Sequence, residues 1–361
     1  MGAVTIYDVA ERAGVSIKSV SRVLNGEQNV SVALRAKVQE AVDALGYRPS
    51  LSARSLAGSS SYLIAAFVDA DLTIEHWRSG RGNDYLSRME LGALIEARNS
   101  GYHLMIELVD PGSPTLERDM SSVLGSLKPD GVILTPPISD ASVVLDVLEA
   151  RGTPYVRLGP ETQLDRGRRV YMDERRAAFD MTVHLARLGH REIGFIVGNP
   201  RYAASRLRRE GFEAAMAQHG LAVRDDWVLE GDFTFTSGFE CGARMLAGAE
   251  RPTAIFASND DMAFGVLQAA SRGGLAVPAD LSLVGFDDTP SAQFSMPQLT
   301  TVRQPVAEMA ETAARMLISA AQAKTDDGLE RVHQAAYTLI ARESSAPPRL
   351  ARAARIPVGQ G

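Results

Sequence analysis

Over the first fifty residues apolar positions recur at the spacing of short helices, and after Tyr62 they gather into brief solid runs. Thr5 stands where it would cap a helix through Ile6-Tyr7-Asp8-Val9-Ala10, and Asp8, three residues on, makes an imperfect capping box. Ile6, Val9 and Ala10 share one face of that helix. Ala13-Gly14-Val15 then breaks the run, with Gly14 free to take the left-handed conformation that a sharp turn between helices needs. Ser16 caps a second helix, Ile17 to about Asn25, which points Val20, Val23 and Leu24 inward and leaves Ile17, Lys18, Ser21 and Arg22 on or near the other face. A third amphipathic helix from about Ser31 to Leu45 uses Val32, Leu34, Val38, Val42 and Leu45 as its buried side.

The pattern beyond Tyr62 predicts strands at Tyr62–Val68, His103–Leu108, Gly131–Thr135, Tyr155–Leu158, Glu192–Val197, Ala254–Ser258 and Leu281–Phe286. Helical stretches fall between and after them, near 85–100, 115–127, 141–150, 175–189, 203–219, 236–249, 260–273 and 306–323. Such alternation predicts parallel sheets with helical crossovers. Ligands of these sheets sit at the carboxyl ends of the strands, where this chain places polar residues: Asp69, Thr135, Asn259-Asp260 and Asp287-Asp288. For Asp260 and Asp288 a cap or turn role is the simpler reading.

The chain is 361 residues long, 45% hydrophobic and 23% charged, which suits a soluble globular protein of more than one domain. Its net charge of -6 argues against positive charge spread over the whole surface, but the distribution is uneven. Residues 1–60 hold seven Lys/Arg against five acids, and the remainder 31 against 39. A weakly basic head on an acidic body follows. No stretch approaches a membrane span, and the N-terminus lacks a basic segment followed by an apolar one, so a cytoplasmic protein without a membrane partner is expected. Cys241 alone permits no internal disulfide or thiolate cluster.

Three short helices with a tight glycine turn between the first two make a helix-turn-helix, whose second helix can enter the major groove of DNA. Arg22 and Lys18 can donate to guanine O6 and N7, and Ile17 offers apolar contact to a thymine methyl. Thr5, Ser16, Ser19, Ser21, Asn25, Asn29, Ser31 and Tyr47 are hydroxyl or amide groups suited to hold phosphates, which fix register without reading sequence.

The motifs Val4-Thr5-Ile6-Tyr7-Asp8-Val9-Ala10, Ala13-Gly14-Val15-Ser16, Val20-Ser21-Arg22-Val23-Leu24-Asn25 and Leu45-Gly46-Tyr47-Arg48-Pro49 resemble the head of the lactose/galactose repressor (LacI) family. Leu51 to Gly58 is similar to that family's hinge helix. The resemblance implies that Ala53 and Leu56 touch DNA, Leu56 as a wedge in the central minor-groove step. Farther on, Gly189-His190-Arg191-Glu192-Ile193-Gly194-Phe195, Arg208-Arg209-Glu210-Gly211-Phe212, Ala257-Ser258-Asn259-Asp260-Asp261, Val284-Gly285-Phe286-Asp287-Asp288 and Leu299-Thr300-Thr301-Val302-Arg303-Gln304-Pro305 resemble the family's core.

The implied fold is α/β: an all-α helix-turn-helix domain (1–49), a hinge and linker (50–61), a periplasmic-binding-protein-like core of two doubly wound parallel-sheet subdomains (62–343), and a disordered tail (344–361). Effector contacts carried over by resemblance are Asp69, Thr135, Arg208, Phe233, Asn259, Asp287 and Gln304. As a set they suit a carbohydrate, because carboxylates and amides chelate neighbouring hydroxyls and Arg208 donates a fork.

Two segments depart from the family. Asp71 to Asp84, with His76, Trp77, Arg78 and Arg81, is long and charged, and reads either as a lid or as a surface excursion. Tyr155-Val156-Arg157-Leu158-Gly159-Pro160 has a glycine where some relatives place an acid, and Arg157 near Arg208 would suit an acidic sugar. Phosphate-loop, dinucleotide and hydrolase motifs are missing, so neither a cofactor nor enzymatic activity is expected. The expectation is a homodimeric repressor of double-stranded operator DNA, released by a small carbohydrate. A carbohydrate-binding protein with a corepressor-type or activator response is the alternative.

Overall fold

The computed structural model describes residues 4–24, 29–47, 60–78, 84–323, 325–326 and 328–349. Asn25, Ala53, Leu56 and Arg81, the hinge segment apart from Ser60 and Ser61, the tail beyond 349, and the side chains of His76 and Trp77 lie outside the described residues. The chain divides into two compact units, residues 1–62 and 63–361.

In the first unit, α1 (Ile6–Ala13), α2 (Ile17–Leu24) and α3 (Val32–Leu45) close around Val9, Ala13, Val20, Val23, Val38 and Ala41. Thr5 donates through both its backbone N–H and its hydroxyl to Asp8 Oδ2, each at 2.7 Å, so the box at the start of α1 forms. Gly14 adopts φ 59°, and the turn is tied by Gly14 N–H to the Glu11 carbonyl and Val15 N–H to the Ala10 carbonyl. A side chain would strain that position. Val32 is a correction: it is 86% exposed. It opens α3 beside the Ser31 cap, on the side of the helix opposite Leu34, Val38, Ala41 and Leu45.

The second unit contains two parallel sheets. Its elements are β1 (Leu63–Asp69), α4 (Ala70–Arg78), α5 (Asp84–Asn99), β2 (His103–Val109), α6 (Leu116–Leu127), β3 (Gly131–Leu134), α7 (Ser142–Ala150), β4 (Tyr155–Leu158) and β5 (Arg168–Tyr171), then α8 (Glu174–Arg187), β6 (Ile193–Val197), α9 (Ala203–Gln218), β7 (Val228–Glu230), α10 (Phe235–Leu246), β8 (Ala254–Ala257), α11 (Asp260–Arg272) and β9 (Ser282–Val284). They are followed by α12 (Pro290–Phe294), β10 (Thr301–Arg303), α13 (Val306–Gln322), β11 (Val332–Gln334) and β12 (Thr338–Ile340). One sheet has the order β11-β5-β4-β3-β1-β2, the other β7-β6-β8-β9, and β10 pairs antiparallel with β12.

Each sheet makes the core of one half. Phe67, Val132, Leu134 and Leu145 pack in the first, and Ile196, Ile255, Leu283 and Met262 in the second. Because α13 packs on β3, β4 and β5 while β11 joins β5, the chain crosses between the halves three times: after β5, after β10 and after β11. The strands missed by the apolar pattern are β5, β7, β10, β11 and β12, which are only three or four residues long and carry too few positions to show a period. The charged stretch after β1 begins as a helix, α4, running straight on from the strand. Among the described residues no helix is long and apolar enough to cross a membrane.

The core extends beyond 343, which corrects the expected start of the tail. Ser344 is 1% exposed; its hydroxyl donates to the Leu283 carbonyl at 2.6 Å and accepts from Thr300 N–H at 2.8 Å. The Leu283 amide donates to the Ser344 carbonyl at 2.8 Å, and the Ala346 carbonyl accepts from Ser282 Oγ at 2.9 Å. Strand β9 lies at the edge of its sheet, and these residues occupy the backbone groups that the edge leaves open. Ser344→Ala leaves a buried amide and a buried carbonyl short of a partner. It should lower stability by roughly 1–3 kcal/mol, read as an earlier midpoint in urea; an unchanged midpoint would show that this segment does not hold the sheet edge.

Candidate functional site

The head presents one face of α2 outward. Ile17 is 41% exposed, Lys18 is exposed, and Ser21 and Arg22 are half-buried. Arg22 Nη2 donates to the Asn29 carbonyl at 3.0 Å, so its guanidinium is held across the end of the helix. Ser16 Oγ accepts from Ser19 N–H at 3.2 Å, and Ser31 Oγ accepts from Leu34 N–H at 3.3 Å: both serines cap the helices that follow them. Tyr47 is only 7% exposed, with its ring inside the core of the head. The side chains at the surface, an apolar group beside a lysine at the start of a helix that follows a tight turn, can enter a groove and meet base edges.

The second unit holds a cavity of about 240 Å³, lined from both sheets at the carboxyl ends of their strands. Asp69 ends β1, Thr135 follows β3, Asn259 follows β8, and Asp287 follows β9. Arg208 reaches in from α9, Phe233 from the loop before α10, and Gln304 from the crossing after β10. The volume lies just below the usual span of ligand pockets, roughly 300–1,000 Å³.

Arg208 is 4% exposed and firmly placed. Its Nε donates to Glu174 Oε2 at 2.8 Å, its Nη1 donates to the Ser258 carbonyl at 2.5 Å, and the guanidinium lies 3.7 Å from the centre of the Phe286 ring. Asp287 accepts from Gln304 Nε2 through Oδ1, and its carbonyl accepts from Arg88 Nη1 at 2.9 Å. Burial pushes the Asp287 carboxyl well above the usual carboxylate range, and the Arg208 charge pulls it back part of the way. Arg208 and Asp287 form no ion pair with each other. Among the described residues, Arg208 Nη2 and Asp287 Oδ2 have no hydrogen-bond partner.

Other members of the cavity are already occupied. The Asn259 side chain accepts from Met262 N–H at 2.9 Å to cap α11, and donates to the Phe233 carbonyl at 2.9 Å. That bond helps hold Phe233 at φ 72°, and Asp287 sits at φ 122°; such backbone costs of order 1–3 kcal/mol each and gathers at functional sites. Room for the Phe233 ring is made by Gly198, where a Cβ would stand 2.1 Å from the ring. Thr135 Oγ1 donates to the Phe67 carbonyl at 3.1 Å.

Matches to known families follow this division into head and core. Residues 5–50 match the family model for bacterial regulatory proteins of the lacI family, and residues 182–345 match a periplasmic binding protein-like domain. Catabolite control protein A of Priestia megaterium is 33% identical over 326 residues, 90% of this chain and 94% of that protein. The chain belongs to the lacI family. The ribose operon repressor of Escherichia coli K12 is 32% identical over 87% of this chain and 92% of its own length. Among solved structures, the lac repressor dimer bound to operator and the anti-inducer ONPF matches with a TM-score of 0.77 at 27% identity, covering 96% of this chain and all of that one. A complex of the transcriptional regulator CelR with cellobiose matches with a TM-score of 0.68 at 28% identity, over 95% of this chain and all of that one.

One residue expected at the site of this family member is elsewhere. Arg157 is fully buried and does not line the cavity. Its guanidinium donates to the carbonyls of Ser139 at 2.6 Å, Gln163 at 2.7 Å and Thr162 at 2.7 Å, and to Asp140 Oδ1 at 2.9 Å. A cation this dry spends its donors on fixed acceptors, so Arg157 pins the loop after β4 instead of meeting a ligand. Arg157 therefore offers no charge to an acidic sugar in the cavity.

Tyr85, Leu72, Glu174, Arg201 and Tyr202 also line the cavity and escaped the sequence reading. Tyr202 carries the same signal as Asp69 and Thr135, since it follows the carboxyl end of a strand, β6. Tyr85 stands at the start of a helix with no motif around it.

Asp260 and Asp288 lie behind the cavity and do not line it. Asp260 accepts from Thr289 N–H at 2.7 Å, Thr289 Oγ1 at 3.1 Å and Thr301 Oγ1 at 2.6 Å, while Asp288 is paired with Arg303 and Arg342. Burial pushes Asp260 up to about 7, against the pull of the threonine hydrogen bonds. Because this value lies above that of the unfolded chain, the folded state gains protons, and therefore stability, as the pH falls through about 7. Asp260→Asn should flatten the pH dependence of the melting temperature around neutrality. Equal slopes in the two proteins would refute the raised carboxyl.

Proposed function

We propose that this chain is a repressor that binds operator DNA as a homodimer and is released by a small polyhydroxylated effector in the cavity. One observation carries the reading: among the described residues a guanidinium nitrogen of Arg208 and a carboxyl oxygen of Asp287, two residues that line the cavity, have no hydrogen-bond partner and do not pair with each other. A hydroxyl both donates and accepts, so neighbouring hydroxyls satisfy a donor and an acceptor held apart. Phe233 and Tyr202, packed edge-on with ring centres 5.6 Å apart, give an apolar wall for the C–H face of a sugar ring. The solved relatives bound to ONPF and to cellobiose support this class of ligand.

The head is read as a major-groove reader with Lys18, Arg22 and Ile17 toward the bases. Arg22 must then exchange the Asn29 carbonyl for a base edge on binding. Dimerisation is read on the side of the core where α5 exposes Leu91, Leu94 and Ile95 and the edge strand β2 exposes Ile106 and Leu108. An apolar row beside an open strand edge is a surface that a second copy would cover. Leu94→Asp should convert the dimer to monomer in sedimentation velocity, and a dimer unaffected by it would move the interface elsewhere.

Selection of binding sites from a random DNA pool by the purified protein, repeated with a panel of neutral and acidic sugars, tests the whole. A palindrome released by one sugar is expected; a palindrome bound only with sugar would mean a corepressor, and no enriched DNA would overturn the repressor reading. Lys18→Ala and Arg22→Ala should each cost roughly 1–3 kcal/mol of binding and relax preference at one base pair per half-site. By linkage, the effector must bind more tightly to the state with lower DNA affinity, and DNA must weaken the effector by the same factor.

A further inference from the structure

An ion pair at the cavity joins the two halves of the core. Asp69 ends β1 in the half built on the six-stranded sheet, and Arg201 lies in the loop after β6 in the other half, with Arg201 Nη2 2.9 Å from Asp69 Oδ2. The carboxylate is nearly dry: Asp69 is 3% exposed, and its other oxygen accepts from Leu72 N–H at 2.9 Å at the start of α4. Arg201 is about half exposed, and its backbone N–H is tied to Asn199 Oδ1 at 2.9 Å.

Among the described residues other polar contacts also bridge the halves, but none leaves a dry charge dependent on the opposite side. Arg206 pairs with Glu161 and also with Glu210 on its own helix, and Glu161 keeps 24% of its surface in water. Arg88 Nη1 meets the Asp287 carbonyl at 2.9 Å and has Asp84 as its own ion-pair partner. Asp69 is different. Among the described residues its one charged partner comes from across the cleft. Separating the halves strips Asp69 of its counter-charge, and an uncompensated charge as dry as this one is costly until water replaces the guanidinium. The low-energy arrangements are therefore two: closed with the guanidinium, or open enough to hydrate the carboxylate.

We propose that Asp69–Arg201 is a cross-cleft latch in which Arg201 neutralises the dry Asp69 carboxylate, a charge that left alone would drive the core open in the absence of ligand. Asp69 is then part of the closure and unavailable to the hydroxyls of an effector, which parts it from the role that family resemblance assigns to it. Arg201 is a positioning residue that acts through Asp69. The proposal rests on the ion pair and its burial, and its test needs neither ligand nor DNA.

The test is double electron–electron resonance on the ligand-free full chain with Cys241→Ser and spin labels at Ser126→Cys and Ala217→Cys, exposed positions on α6 and α9 in opposite halves, with the labelled chain diluted in excess unlabelled chain so that a dimer carries one labelled protomer. The parent protein should show one narrow distance. Arg201→Ala should add a second population at longer distance. Asp69→Asn combined with Arg201→Ala should restore the parent distribution, because the amide still caps α4 and no longer demands water. An Arg201→Ala distribution identical to the parent would overturn the latch. So would a double variant as open as the single one, since the opening would then not come from an uncompensated charge.

Discussion

A guanidinium removed from water must find acceptors at fixed places, and the cavity of this chain is arranged around that demand. Arg208 cannot be deprotonated to escape it, so its donors go to Glu174 and to the Ser258 carbonyl, and its flat face lies on Phe286. Those partners come from α8, from the end of β8 and from the end of β9, which fixes three separate elements against α9. With two nitrogens committed, the third is aimed without further cost. Asp287 is placed by the same logic from the other side, with one oxygen given to Gln304 and the other left to the cavity.

Placement of this kind is possible because both sheets are parallel. Strands that all run one way bring their following loops to one end, and here both ends face a common space. Backbone strain gathers there too, at Phe233 and Asp287, where the chain turns sharply enough to aim a side chain into the cavity. The helical head solves a different problem with other means. Its small core of valines and alanines needs only tight turns and caps, and leaves one face of α2 free to meet a partner.

The crossings between the halves are where the cavity meets the rest of the core. Gln304 holds Asp287, Arg303 pairs with Asp288, and Thr301 bonds Asp260, so the strand that leads into one crossing is tied by three side chains to the floor of the site. These bonds fix the start of the crossing to its own half, so a rotation of one half against the other works against the Asp69–Arg201 pair.

Elements whose evidence is local were legible in the amino-acid order alone. Helix caps, the glycine turn and the 3.6-residue spacing built the head correctly, apart from Val32, whose apolar character says nothing about which way it points at the first position of a helix. Long apolar runs marked the inner strands of both sheets, and their polar successors marked Asp69, Thr135, Asn259 and Asp287 on the cavity wall. What a polar residue does once there is not local. Arg157 and Arg208 look alike in sequence, and only packing spends the donors of one guanidinium on backbone carbonyls and Asp140 while leaving a nitrogen of the other without a partner among the described residues. Likewise Ser344 to Arg349 has the composition of a tail, yet an open strand edge on the far side of the core gives it partners. Sequence by itself determined the elements and the chemistry available to them, because propensity and periodicity act within a few residues; tertiary structure decided which charges are dry, which are paired and which remain free, because burial and counter-charge depend on groups brought together from across the chain.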